Sequence, residues 1–295
     1  MITVDSFIEF LKYERNYSAR TIQEYQSDLK AFESYYKGVD NGLSWETLDS
    51  DVVRRWIMVM MDRGNTARTV NRRLSALRSF YQFLLKRGWM QVNPVYGIQG
   101  PKKERSLPAF IKECEMNRLL DGDFFSTDFK GRRNLLVIMM FYTTGMRVSE
   151  LTNLDIRDVD HCARLIKVTG KRNKQRVIPY GEELEKVLLL YKEECTRLFG
   201  EAYASALFVE ETGERMTNAG VAKVVRKYLS LVTTQKKKGP HVLRHTFATS
   251  MLNHHANLES VKELLGHESL AATEVYTHTT FEELKKMYNK AHPRA

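Results

Sequence analysis

A chain of 295 residues is long enough for two domains, each burying its own core. Its 43% hydrophobic and 11% aromatic content sets aside a disordered chain, and a formal charge of +10 favours a polyanionic partner. Three distant cysteines (Cys114, Cys162, Cys195) without a CxxC pair give neither a disulfide framework nor a cysteine zinc site, so a reduced, cytoplasmic setting is expected. The amino terminus, MITVDSFIEFLKYERNY, is no charged leader followed by an apolar run. The longest apolar run, residues 135–142, is too short to span a bilayer and reads as a core helix.

The first hundred residues read as helices. Thr3 caps one whose apolar stripe is Phe7, Ile8, Phe10 and Leu11. Ser18 caps a second, running through Ile22, Tyr25, Leu29, Phe32 and Tyr36 and expected to stop at Gly38. Asp49 or Ser50 opens a third, ended by Gly64. Thr66 opens a fourth over residues 67–86, with Gly88 just past its end. In the fourth, Val70, Leu74, Leu77, Tyr81 and Leu84 form a buried face at helical period. Arg68, Arg72, Ser75, Ser79 and Lys86 fall opposite. That side reads either as a solvated face or as one laid against phosphates. Residues 93–108 hold three of the six prolines and a basic cluster, Lys102, Lys103 and Arg105, and read as a linker between domains at 1–92 and 109–295.

In the second domain, helices are expected over 112–120 and 132–143, the latter apolar nearly all round and ended by Gly145. Arg147 then starts a short helix over 148–153. Glu150, three residues on, reads either as a carboxylate orienting that guanidinium or as half of a surface salt bridge. Residues 164–169 and 175–180 alternate apolar and polar around Gly170-Lys171-Arg172-Asn173-Lys174, which is a β-hairpin with a basic tip. Helices follow over 182–198 and, after a Thr217/Asn218 cap, 219–231. A loop over 235–238 carries Lys236, Lys237 and Lys238.

Seven of the eight histidines lie after residue 240. Gly239-Pro240 breaks the chain ahead of a helix over 241–254, whose first turn carries His241 and Arg244 at i, i+3. A helix start favours an anion, and a guanidinium fork matches phosphate, so this is the makings of a phosphate site. A second helix over 258–265 stops at Gly266, with His267 next. Ser269 caps a short helix over 270–276 that carries Tyr276. A tyrosine attacks phosphorus usefully only where the phosphate charge is already neutralised. His241 and His245 could instead form a helical metal pair, but the Glu of HExxH is missing and no nearby third ligand has a certain geometry.

His241-x-x-Arg244-His245, Leu265-Gly266-His267 and Tyr276-Thr277-His278 resemble the carboxy-terminal signature of the tyrosine recombinases. Residues 144–151, TGMRVSEL, resemble that family's first arginine box, and residues 289–295, NKAHPRA, resemble the tail of its Xer-type members. The resemblance covers nearly the whole chain. It implies a mainly α fold with a small β-sheet in the second domain, arranged as a two-domain DNA clamp of a helical core-binding domain and a mixed α/β catalytic domain. It also implies strand cutting and rejoining through a 3′-phosphotyrosyl intermediate, with Tyr276 as nucleophile, Arg147, Arg244 and His267 on the phosphate, His241 as proton acceptor or further phosphate donor, and Lys171 protonating the leaving 5′-oxygen. One phosphodiester replaces another of similar energy, so no cofactor and no metal is expected.

The implied partners are double-stranded DNA with inverted half-sites and a tetramer, formed alone or with a paralogous recombinase. Some members also answer to a septal DNA translocase; none of these partners is a membrane. Arg68, Arg72, Ser75, Lys102, Lys103, Arg172, Lys174 and Lys237 are the candidate DNA contacts. Helix signals that begin by Thr3 leave no room for the arm-binding domain of many phage integrases, which favours a simple recombinase on short core sites, with chromosome or plasmid dimer resolution as the reading and a small integrase of a mobile element as the alternative. In a different class stands a DNA-binding protein without catalysis. The tail helix, over 281–295, presents Leu284, Met287 and Tyr288 as a stripe suited to a neighbour's groove, so exchange in trans is expected.

Overall fold

Helix caps set the elements of the amino-terminal half. The computed structural model describes residues 3–102, 109–170, 173–200, 205–266 and 278–295, the side chains of 278–282 excepted. The Thr3 hydroxyl caps α1 (Val4–Glu9), which continues as a π-helical turn over Phe10–Glu14. Ser18, Asp49 and Thr66 cap α2 (Ala19–Val39), α3 (Ser50–Asp62) and α4 (Ala67–Lys86), each side chain accepting a backbone N–H of the first turn. Helix α2 does not stop at Gly38. It runs one residue further, because Asp40 leaves the helix in an extended conformation and accepts the Gly42 N–H at 2.8 Å, supplying the turn itself.

The chain divides into two compact units, Met1–Ser106 and Leu107–Ala295. In the first, Val70, Leu74, Leu77, Tyr81 and Leu84 are fully buried among an aromatic core that includes Phe7, Phe32, Trp45, Trp56 and Phe80. Val95 and Ile98 belong to that core as well, so the stretch read as linker is, through Ile98, part of the first unit.

The second unit is helices around a small antiparallel sheet. Helices α5 (Glu113–Asp121) and α6 (Phe129–Thr144) precede α7 (Val148–Thr152). Helix α6 begins a turn earlier than its apolar run, because Asp128 accepts the Gly131 N–H and Phe129 is already buried. Strands β2 (Leu165–Thr169) and β3 (Gln175–Pro179) form the expected hairpin, with Val168 opposite Arg176; β1 (Val159–Asp160) adds a third, outer strand too short to show alternation in the sequence. Helices α8 (Glu182–Phe199), α9 (Asn218–Val232), α10 (Pro240–Asn253), α11 (Leu258–Leu265) and α12 (His278–Ala291) complete the unit. None of the helices among the described residues is long and apolar enough to cross a membrane.

The apolar stripe of the tail lies against the second unit of the same chain. Leu284, Tyr288 and Ala291 are buried in the core of that unit and Met287 packs against it. His292 closes the contact. Its imidazole stacks on Phe247 and Tyr288, its Nε2 lies 3.1 Å from the Tyr142 carbonyl, and its Nδ1 accepts the Arg294 N–H at 3.1 Å. Those two roles fit only the neutral ring. Burial pushes the His292 pKa down to about 4, against the pull of the Tyr142 carbonyl and with help from His254 and Arg294. In the unfolded chain it returns to roughly 6.5. Between those values the unfolded state binds a proton that the folded state refuses, so stability is full above about pH 6.5 and falls as pH drops towards 4. The expected loss is about 2 kcal/mol at pH 5 relative to pH 7. Denaturant unfolding at both pH values, in wild type and His292→Gln, checks this: the variant should lose most of the difference, and an unchanged slope would place the titration elsewhere.

Candidate active site

The last turn of α11 organises the site. Asn257 caps its start, and Gly266, at φ +62, ends it in the left-handed conformation. The carbonyls at a helix end lack intrahelical partners and carry the negative end of the dipole. Here three successive carbonyls are taken by three guanidinia from three different elements. Arg176 on β3 donates from Nε to the Leu264 carbonyl at 2.7 Å, and Arg244 in the second turn of α10 donates from Nη2 to that of Leu265 at 2.7 Å. Arg147, at the start of α7, donates from Nη2 to that of Gly266 at 3.2 Å. A second bond from Arg244 Nη1 goes to the carbonyl of Gly145, the left-handed residue that ends α6.

One carboxylate sits among these cations. Glu150 is buried; its Oε1 accepts from Arg147 Nη1 (2.7 Å) and Arg176 Nη1 (2.9 Å), and its Oε2 accepts from Arg176 Nη2 and the Arg147 backbone N–H, both at 2.8 Å. Burial acts to raise its pKa, but the bonds and charge of Arg176, then those of Arg147, outweigh it and bring the carboxyl to about 2. The reading of Arg147–Glu150 as a surface salt bridge therefore gives way to that of a buried orienting contact, since the Glu150 side chain is 1% exposed. Arg244 is drawn down to about 10, by burial first and then by Arg147, and stays charged at neutral pH. Three guanidinia against one carboxylate leave an excess of positive charge in a partly desolvated place. An anion relieves it.

The structure thus brings Arg147 and Arg244 together. His241 stands on the same helix as Arg244, exposed, in the preceding turn. Lys171, His267 and Tyr276 lie outside the described residues, as do Lys103, Arg105 and Arg172. The described residues just before two of them, Gly170 and Gly266, both border the cluster: a Cβ on Gly170 would stand 3.2 Å from Glu150 Oε1, and one on Gly266 3.1 Å from Arg176 Nη1. Among the other candidates, Arg68, Ser75, Lys102, Lys174 and Lys237 are exposed, Ser75 donating its hydroxyl to the Asn71 carbonyl. Arg72, half-exposed, bonds the buried carboxylate of Asp28.

Sequence reasoning missed Arg176. The signal was strand parity: residues 176 and 178 share a face of β3, Ile178 is buried and Val177 exposed, so a charged residue stands on the inward side.

Two family models match the chain: "Phage integrase family" over residues 109–283 and "Phage integrase, N-terminal SAM-like domain" over residues 4–88. The chain belongs to the phage integrase family. Among its relatives are the tyrosine recombinase XerC of Pelotomaculum thermopropionicum, 37% identical over 303 residues that cover 100% of this chain and 99% of that one, and the XerC of Oceanobacillus iheyensis, 36% identical over 99% and 96%. Among solved structures, the post-cleavage complex of the XerH site-specific recombinase bound to palindromic difH substrate has a TM-score of 0.74 at 24% identity, covering 94% of this chain and 82% of that one. The Tn1549 transposon integrase in complex with circular intermediate DNA has a TM-score of 0.72 at 19% identity, covering 96% and 99%. At those identities the likeness is one of fold.

Proposed function

We propose that this chain is a site-specific tyrosine recombinase of the Xer kind, resolving chromosome or plasmid dimers on double-stranded DNA with inverted half-sites. The observation that carries this reading is the cluster of Arg147, Arg176 and Arg244 around ionised Glu150, tied to the carbonyls of residues 264–266. Family membership and relatives named XerC at 37% and 36% identity over the whole chain support it.

In the reaction, the Tyr276 oxygen attacks a scissile phosphorus, forming the O–P bond as the bond to the 5′-oxygen breaks. The tyrosine proton passes to His241, and Lys171 protonates the departing 5′-oxygen. Arg147 and Arg244, with His267, hold the equatorial oxygens of the five-coordinate state, where fixed donors lower the barrier most. A 5′-hydroxyl of the partner strand then reverses the step, so neither nucleotide nor metal is consumed. Arg68, Arg72, Ser75, Lys102, Lys103, Arg172, Lys174 and Lys237 are assigned to backbone phosphates, which position the duplex. The working assembly is a tetramer on paired sites, of this chain alone or with a paralogue, with a septal DNA translocase as the activating partner.

Nicked suicide duplexes tiled across the replication terminus of the source chromosome test this. The expected result is a protein–DNA adduct on a denaturing gel whose digested peptide carries its nucleotide on Tyr276. A nucleotide on another tyrosine would relocate the nucleophile. Specific binding without any adduct would make the chain a non-catalytic DNA-binding protein.

A further inference from the structure

We propose that Arg176 is a positioning residue for strand cleavage, holding Glu150, and through it Arg147, in register with the end of α11. This rests on the recombinase reading above. Arg176 is 14% exposed, and each of its three nitrogens is engaged by protein: Nη1 and Nη2 by the two oxygens of Glu150, and Nε by the Leu264 carbonyl. Its paired donors are thus committed to a carboxylate of the protein, and its remaining edge to a helix end. Arg147 differs: its side chain is 34% exposed, held at one edge by Glu150 and at another by the Gly266 carbonyl, so it is open to a ligand.

The position of Arg176 gives the tie its purpose. It joins the return strand of the hairpin to α7 and to the end of α11, and each of these leads directly into a residue assigned to the chemistry. The hairpin turns at Gly170, beside Glu150, just before Lys171; Arg147 caps the start of α7; Gly266 caps the end of α11, against the Arg176 guanidinium, just before His267. One planar fork thus aligns three separate segments, a task for which a lysine ammonium has neither the geometry nor the number of directed donors.

The tie also controls a charge. Glu150 is faced by Arg147 from its own helix start, by Arg176 from β3 and by Arg244 from α10, while α11 presents carbonyls and the hairpin presents Gly170. Of these cations, Arg176 makes the paired side-chain bonds to both carboxylate oxygens. With Arg176 removed the carboxyl remains buried but loses its strongest partner, so its pKa rises. Below the new value Glu150 is protonated and no longer holds Arg147 as an anion does, and the rate therefore falls as pH falls.

The experiment compares wild type, Arg176→Lys, Arg176→Gln and the double variant Arg176→Gln with Glu150→Gln. The probe is the nicked suicide duplex that traps the wild type, and the readouts are gel-shift binding, single-turnover adduct rate from about pH 5 to 8, and thermal melting. The expected result is binding within about threefold of wild type, with the adduct rate down about tenfold in Arg176→Lys and further in Arg176→Gln. Arg176→Gln should also lose rate below neutral pH more steeply than wild type, and the double variant, with no carboxyl to protonate, should lose that extra slope. Wild-type rates in both single variants would overturn the proposal. So would a loss equal at every pH that tracks a lowered melting temperature, which is all a merely structural contact would give; Arg176→Lys, which keeps the charge, guards against a variant that fails to fold. Absence of any adduct from wild type would sink the recombinase reading itself, whereas wild type and variants trapping alike would sink only the role of Arg176.

Discussion

Arg244→Gln should slow covalent adduct formation about 10²–10³-fold, the cost of removing one fixed donor from a developing oxyanion, or about 2.7–4 kcal/mol of barrier. It should leave non-covalent DNA affinity within a few-fold. The two outcomes separate because of where the guanidinium sits. It is buried, held by the carbonyls of Gly145 and Leu265 at 2.7 Å each, and carries its charge at a cost, with the pKa drawn down by burial and by Arg147. A charge held at a cost in the free protein is repaid where negative charge builds up, which favours the transition state over the resting complex. Affinity for the duplex, by contrast, is spread over many backbone phosphates, and losing one contact among them changes it little. Arg244→Lys should fall between, keeping a positive charge but unable to span both carbonyls while facing a phosphate. Single-turnover trapping and competition binding on the same duplex check this. A loss of rate matched by an equal loss of affinity would make Arg244 a simple docking contact.

Most elements were legible because their punctuation is local. Ser18, Asp49, Thr66, Thr217 and Asn257 accept backbone N–H groups of the helices they precede, and Gly145 and Gly266 end theirs with positive φ. Local rules failed where a second local choice competed, as at Gly38, or where an element was too short to show a period, as with Val159–Asp160. The site was half legible. Arg147 and Arg244 stood out as parts of spaced motifs, but their shared attachment to one helix end did not, because Arg147 and the Gly266 carbonyl are 119 residues apart. Backbone carbonyls carry no sequence signature. Arg176 escaped for the same reason, its partners being a carboxylate 26 residues away and a carbonyl 88 residues away. The tail shows the opposite limit: the apolar stripe of Leu284, Met287 and Tyr288 announces that something covers it, but an amphipathic helix does not say whose core it fills.

Gly145→Ala should destabilise the protein by about 2–5 kcal/mol, from the cost of a side chain in the left-handed region added to that of overpacking a filled core. Gly145 has φ +60, and a Cβ there would come within 2.4 Å of Phe247 Cδ1 and 2.8 Å of Leu265 Cδ2. Neither neighbour can step aside cheaply. Phe247 is stacked against His292 with ring centroids 5.6 Å apart, and the Leu265 carbonyl holds Arg244. Gly88→Ala provides the comparison, because Gly88 has φ +69 but nothing within 4 Å of its would-be Cβ, and should lose only the backbone contribution of about 1–2 kcal/mol. Denaturant unfolding of both variants separates conformational strain from steric conflict. Because the Gly145 carbonyl also accepts from Arg244 Nη1, relief of the clash by moving α6 would displace the guanidinium. Gly145→Ala should therefore trap DNA more slowly than wild type even at temperatures where it remains folded, while Gly88→Ala traps at the wild-type rate. Equal stability losses in the two variants would mean that Phe247 yields freely and that the Gly145 turn does not brace the arginine cluster.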